Sequence, residues 1–155
     1  MDATEKHGLS RRGFFAAAGA GVLAAAGVSG SARADLPKMK AAIAKEFGPG
    51  PYKKNRVHLK TPIIAENGRV VPIQVTVESP MSDSDYVKRV GVFVQENPNP
   101  EVAVFHFTPA CGKGWVKTNC RMSKTSPVIA VAEMSDGSVH ITQSTVKVTI
   151  GGCGG

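Results

Sequence analysis

Two hydrophobic periods divide the chain. Met39, Ile43 and Phe47 stand four apart and make one apolar stripe of a helix. Asp35-Leu36-Pro37 opens it with an N-cap residue type and a proline suited to the first turn. Gly48-Pro49-Gly50-Pro51 stops it. This predicts one short helix over 37–47. Beyond it the period becomes 2. Val57 and Leu59 alternate with Arg56, His58 and Lys60, and Val71, Ile73, Val75 and Val77 alternate with Pro72, Gln74 and Thr76. Val90, Val92 and Val94 repeat the pattern with Phe93 opposite, and 102–107 is apolar on both faces. Segments 115–122, 127–133 and 139–150 complete about seven strands. Between them lie turn signals at Glu66-Asn67-Gly68, Ser82-Asp83-Ser84-Asp85, Asn97-Pro98-Asn99-Pro100, Gly112-Lys113-Gly114 and Ser135-Asp136-Gly137. The expected fold is all-β, an immunoglobulin-like antiparallel β-sandwich behind one N-terminal helix. A closed barrel is the rival.

The first 34 residues break both periods. Lys6, His7, Arg11 and Arg12 precede a small, mildly apolar run, and Ala32 and Ala34 form an A-x-A cleavage pattern. The run is too short to span a bilayer. Ser10-Arg11-Arg12-Gly13-Phe14-Phe15 resembles a twin-arginine export signal, so Arg11 and Arg12 are expected to address the chain to the periplasm, with cleavage after Ala34. The expected organisation is a signal over 1–34, the helical segment over 35–50, the sandwich over 51–150 and a tail over 151–155.

Composition changes this picture little. The 155 residues are 42% hydrophobic and 20% charged, which fits one globular domain and excludes wholesale disorder. Losing the signal takes 19 basic and 12 acidic residues to 15 and 10, net +5. That charge favours small anions and acidic partner surfaces. No basic run with interleaved aromatics points to nucleic acid.

The tail carries the chemistry. The last strand runs through Thr145-Val146-Lys147-Val148-Thr149-Ile150 into Gly151-Gly152-Cys153-Gly154-Gly155. Gly151, Gly152, Gly154 and Gly155 cost the most backbone entropy to order, so a mobile arm is expected. It is also the thinnest chain that can present a thiol to a narrow pocket in another protein. No His, Lys or Arg adjoins Cys153 to activate it. Cys153 therefore reads as a handle for other enzymes, not as an autonomous catalyst. The plainer reading is a frayed tail whose thiol makes an intermolecular disulfide.

Residues 146–155 resemble the tail of the SoxY family, sulfur-carrier subunits of the periplasmic thiosulfate-oxidising Sox system. Glu78-Ser79-Pro80-Met81, Asp85-Tyr86-Val87-Lys88, Asn97-Pro98-Asn99-Pro100, Phe105-His106-Phe107-Thr108-Pro109 and 131–138 are similar to its segments as well. The resemblance implies a covalent carrier, not an enzyme, with no cofactor of its own. Sulfur intermediates would stay attached to Cys153. The implied partners are SoxZ in a heterodimer and, transiently, SoxAX, SoxB and, where present, SoxCD. An exposed valine-rich sheet face is the expected SoxZ contact. The alternative is a non-carrier periplasmic binding module that uses Cys153 to dimerise.

Cys111, Cys120 and Trp115 depart from that family pattern. In an exported protein, Cys111 and Cys120 are expected to form a disulfide if the loop around Lys113 is wide. A tight hairpin there would instead set Cys111 against Trp115 and Cys120 against His106. His106, Cys111, Cys120 and Met122 are soft-metal ligand types, but no ligand spacing joins them, so packing is preferred and no metal site is expected. His58 and His140 read as surface or partly buried strand residues. Asp83 and Asp85 read as a capped turn.

Overall fold

The computed structural model describes residues 35–152. Helix α1 (Asp35–Phe47) is followed by β1 (Val57–Lys60), β2 (Ile64–Asn67), β3 (Val71–Val77), β4 (Val87–Val94) and β5 (Glu101–His106). A 3₁₀ turn (Pro109–Cys111) leads to β6 (Gly114–Cys120), β7 (Ser126–Met134) and β8 (Val139–Ile150). The strands form two sheets, ordered β1-β3-β6 and β2-β8-β7-β4-β5. This is the expected immunoglobulin-like sandwich, with two open sheets instead of a barrel.

The strand periodicity explains the layers. Val71, Ile73, Val75 and Val77 of β3 face Val90, Val92 and Val94 of β4 and Val128, Ala130, Ala132 and Met134 of β7 in one buried cluster. The other face of the five-stranded sheet is buried too. There Phe93, Ile129 and Val131 meet Met39, Ile43 and Phe47, the stripe of α1. Phe47 and Phe93 pack edge to face with centroids 6.2 Å apart. Gly48, at φ 76°, ends the helix with its N–H donating to the Ala44 carbonyl at 2.9 Å.

Four features correct the sequence reading. β2 is an eighth strand, and it pairs parallel with β8, Ile64 opposite Lys147 and Asn67 opposite Ile150. Four residues after Pro62 are too few to display alternation. Next, β5 and β6 are not a hairpin: β6 pairs with β3 in the other sheet, Trp115 opposite Thr76 and Cys120 opposite Val71. The 3₁₀ turn carries the chain across. The expected disulfide accordingly does not form. Cys111 and Cys120 are free thiols, one exposed on the 3₁₀ turn that precedes β6 and one buried at the far end of β6; the strand between them spans roughly 20 Å at ~3.3 Å per residue, far beyond bridging distance. Last, the valines of β3 and β4 are buried, so these two strands present no exposed valine-rich face, whereas Val102 and Val104 of β5 stay half-buried.

Candidate functional site

The tail leaves the fold where three distant segments meet. These are the turn after β2 at Gly68, the turn after β6 at Met122 and Ser123, and the end of β8. Gly68 N–H donates to the Ile150 carbonyl at 2.8 Å, Met122 N–H to the Gly68 carbonyl at 2.7 Å, and Gly152 N–H to the Met122 carbonyl at 2.9 Å. Each segment donates to the next, so the root of the tail closes a circuit of backbone hydrogen bonds.

Side chains hold that circuit from behind. The buried Asn97 side chain donates through Nδ2 to the Arg121 carbonyl at 2.8 Å. Its Oδ1 accepts from Ser123 N–H at 3.1 Å and from Ser123 Oγ at 3.2 Å. Thr125 Oγ1 accepts from Val148 N–H at 2.9 Å, tying β8 to the same turn. Met122 anchors the turn from inside, its side chain wholly buried in the core.

Close approach explains the glycines. A Cβ on Gly152 would lie 2.7 Å from the Gly68 carbonyl oxygen, and one on Gly151 would lie 2.2 Å from the Ser123 oxygen. A Cβ on Gly68 would meet the Met122 oxygen at 2.1 Å and the Gly152 nitrogen at 2.8 Å. Gly152 is buried in this seat while Gly151 stays exposed. The mobile arm expected from Gly151 onward thus begins with two residues packed on the body. Cys153, Gly154 and Gly155, like Arg11, Arg12 and the cleavage point after Ala34, lie outside the described residues. Two exposed cations flank the seat: Arg69 follows Gly68 and Arg121 precedes Met122. Sequence reasoning missed them because about 50 residues separate each other's turns, and it missed Asn97 because it read that residue only as a turn former.

The other candidates stand apart. His106 ends β5 exposed, Cys111 is exposed on the 3₁₀ turn, and Cys120 and Met122 are buried. Among the described residues no group of three or more His, Cys, Asp or Glu side chains could hold a metal. Burial pushes the Cys120 thiol up to about 11, although a backbone hydrogen bond opposes the shift. Exposed Cys111 shares a hollow with Phe107, Lys113 and the half-exposed Trp115. His58 is exposed and sits 2.6 Å from Glu78. His140 is buried more deeply than expected, between Ser138 and Asn55. Asp85 closes its turn, its N–H donating to Ser82 Oγ at 3.2 Å, and its carboxylate pairs with Arg56 at 2.6 Å. A mostly apolar cavity of about 380 Å³ lies beneath α1, bordered by Leu36, Met39, Tyr52 and Ile141.

A family model described as "Sulfur oxidation protein SoxY" matches residues 43–153. The chain belongs to the SoxY family. The solved sulfur carrier SoxY from Chlorobium limicola is 30% identical, with a TM-score of 0.63 over 74% of this chain and 94% of that one. Superoxide reductase (neelaredoxin) from Ignicoccus hospitalis, 14% identical with a TM-score of 0.55, covers 69% of this chain and 86% of its own. A putative superoxide reductase from Thermotoga maritima, 19% identical with a TM-score of 0.53, covers 62% and 87%. These two share the fold alone. No curated protein matches the chain. Membership in SoxY places the chain in sulfur oxidation as a carrier-family protein. None of its described helices is long and apolar enough to cross a membrane.

Proposed function

We propose that this chain carries sulfur intermediates of thiosulfate oxidation covalently on Cys153 and presents them to partner enzymes in the periplasm. The observation that carries the reading is the tail Gly151-Gly152-Cys153-Gly154-Gly155, set at the end of β8 in a SoxY-family chain. Export follows the twin-arginine pattern at Arg11 and Arg12, with SoxZ as the heterodimer partner.

The chemistry starts with the Cys153 thiol and thiosulfate. Joining the two sulfurs releases one proton and two electrons, which pass to the heme cytochrome SoxAX. Cleavage by SoxB then adds water to the terminal sulfone, releases sulfate and a proton, and leaves a persulfide on Cys153. SoxCD, where present, oxidises that sulfane sulfur. The carrier contributes the thiol and a narrow approach. Arg69 and Arg121, beside the root of the tail, give an anionic cargo a favourable field.

The test is the mass of the C-terminal peptide from protein isolated from its native host grown on thiosulfate, with and without reductant. Reductant-labile sulfur or sulfur-oxygen additions on Cys153, absent from Cys153→Ser, are expected. A bare thiol, or only a Cys153–Cys153 disulfide, would refute the carrier reading and favour a docking module that dimerises through its tail.

A further inference from the structure

The first two glycines of the tail do more than thin the chain. Gly152 is buried, donates its N–H to the Met122 carbonyl, and leaves no room for a Cβ between itself and Gly68. Gly68 in turn leaves no room for a Cβ between itself and Met122. Each glycine is therefore shaped to the other across about 80 residues of sequence. A turn needs neither contact, and a freely swinging tail would make neither.

We propose that Gly68, with the Met122 carbonyl, is a positioning residue that parks the root of the carrier arm: Gly152 seats there at rest, which shortens the reach of the arm beyond it. One peptide link separates Gly152 from Cys153, about 3.8 Å between Cα atoms. A seated Gly152 therefore leaves a tether of one residue between the body of the protein and Cys153. Released back to Ile150, the arm gains two residues, roughly 7 Å of reach. A partner with a deep, narrow pocket must draw Gly152 off its seat, whereas a shallow site need not. Asn97 matters through the same contact, because it fixes the 121–123 turn that offers the carbonyl. The proposal rests on the carrier reading for its purpose, but the seat itself is testable without sulfur chemistry.

The experiment uses the mature chain carrying Cys111→Ala, so that the tail offers the reactive thiol. Two quantities are read: hydrogen exchange at the Gly152 amide, and alkylation of Cys153 by iodoacetamide and by a maleimide on a large polymer. The parked arm should slow Gly152 exchange at least several-fold relative to an unstructured peptide. Gly152→Ala should abolish that protection and raise the polymer reagent's rate about three- to tenfold, the range for losing one hydrogen bond. The iodoacetamide rate should rise less, since a small reagent needs less clearance. Gly68→Ala should act in the same direction from the body side. If that variant fails to fold, Gly152→Ala still decides, because its change lies in the tail. Free-peptide exchange at Gly152, or an unchanged polymer-to-iodoacetamide ratio in Gly152→Ala, would overturn the seat. Protected Gly152 with no sulfur adduct on Cys153 in the host would uphold the seat and sink the carrier reading, so the two failures are distinguishable.

Discussion

His140 is buried, and its Nδ1 faces only oxygen atoms of Asn55, the carbonyl at 3.1 Å and the side chain at 2.7 Å. Nδ1 therefore carries the proton, and Nε2 accepts from Ser138 Oγ at 3.0 Å. Burial lowers the pKa of His140 below 6.5; the hydrogen bond to Asn55 opposes the shift, and Arg56 and Lys53 add to it. The unfolded chain therefore binds a proton more readily than the folded one. This part of the stability is complete above about pH 6.5 and is lost as pH falls through the lower folded value. Urea midpoints taken from about pH 7.5 down to about pH 5 should fall less steeply in His140→Gln than in the parent. Glu133 acts in the same sense at lower pH: burial would raise its pKa, but hydrogen bonds from Lys88 and Arg89 prevail and lower it. The two body thiols should separate just as clearly. Cys111 should alkylate in the native protein without prior reduction. Cys120, buried and with its pKa pushed up to about 11, should react only on unfolding. Equal rates would show that β6 opens. Residue types were legible in the sequence at this scale, but partners were not. His140 and Asn55 are 85 positions apart, and no spacing rule joins them.

Packing of α1 is an element-scale matter, and Gly91 governs it. The Phe47 ring lies so close over β4 that a Cβ on Gly91 would stand 2.5 Å from Phe47 Cε2. Arg89 caps the same ring, its guanidinium carbon 5.0 Å from the centroid. Gly91→Val should cost about 1–3 kcal/mol by overpacking. Phe47→Ala should cost about 3 kcal/mol or more by emptying a buried aromatic site. In the Phe47→Ala background the Gly91→Val penalty should shrink but not vanish, because the closest clash is gone while the one with Phe93 Cε2, at 2.8 Å, remains; additive penalties in urea unfolding would contradict this packing. The helix was legible because three apolar residues at spacing four mark its buried face, and glycine and proline mark its end. β2 was not. A four-residue edge strand shows too little alternation, and its parallel partner lies some 80 residues downstream.

At the scale of the whole molecule, the tail is an addition to a core that is complete without it. The last side chain of β8 in the core is Val146, with Val148 packed partly against it. Number and period of strands revealed the sandwich, but they left open which sheet β6 joins, since alternation marks a strand's buried face and not its neighbour. That ambiguity produced the mistaken disulfide. It also hid the seat, which exists only because β6 crosses to the β3 sheet and brings Met122 beside Gly68. Removing residues 151–155 should therefore leave the fold intact and delete one buried backbone hydrogen bond, worth about 1 kcal/mol. For a domain of this size that is a fall in Tm of roughly 3–6 °C. Asn97→Ala should lower Tm as well, since it unpins the turn that offers the Met122 carbonyl. In the truncated chain the further loss from Asn97→Ala should be unchanged if Asn97 supports only the core, and smaller if part of its effect runs through the seated arm. A truncation that leaves Tm unaltered would mean that the seat contributes nothing at rest, and Gly152 would then be small only for the sake of the partner's pocket.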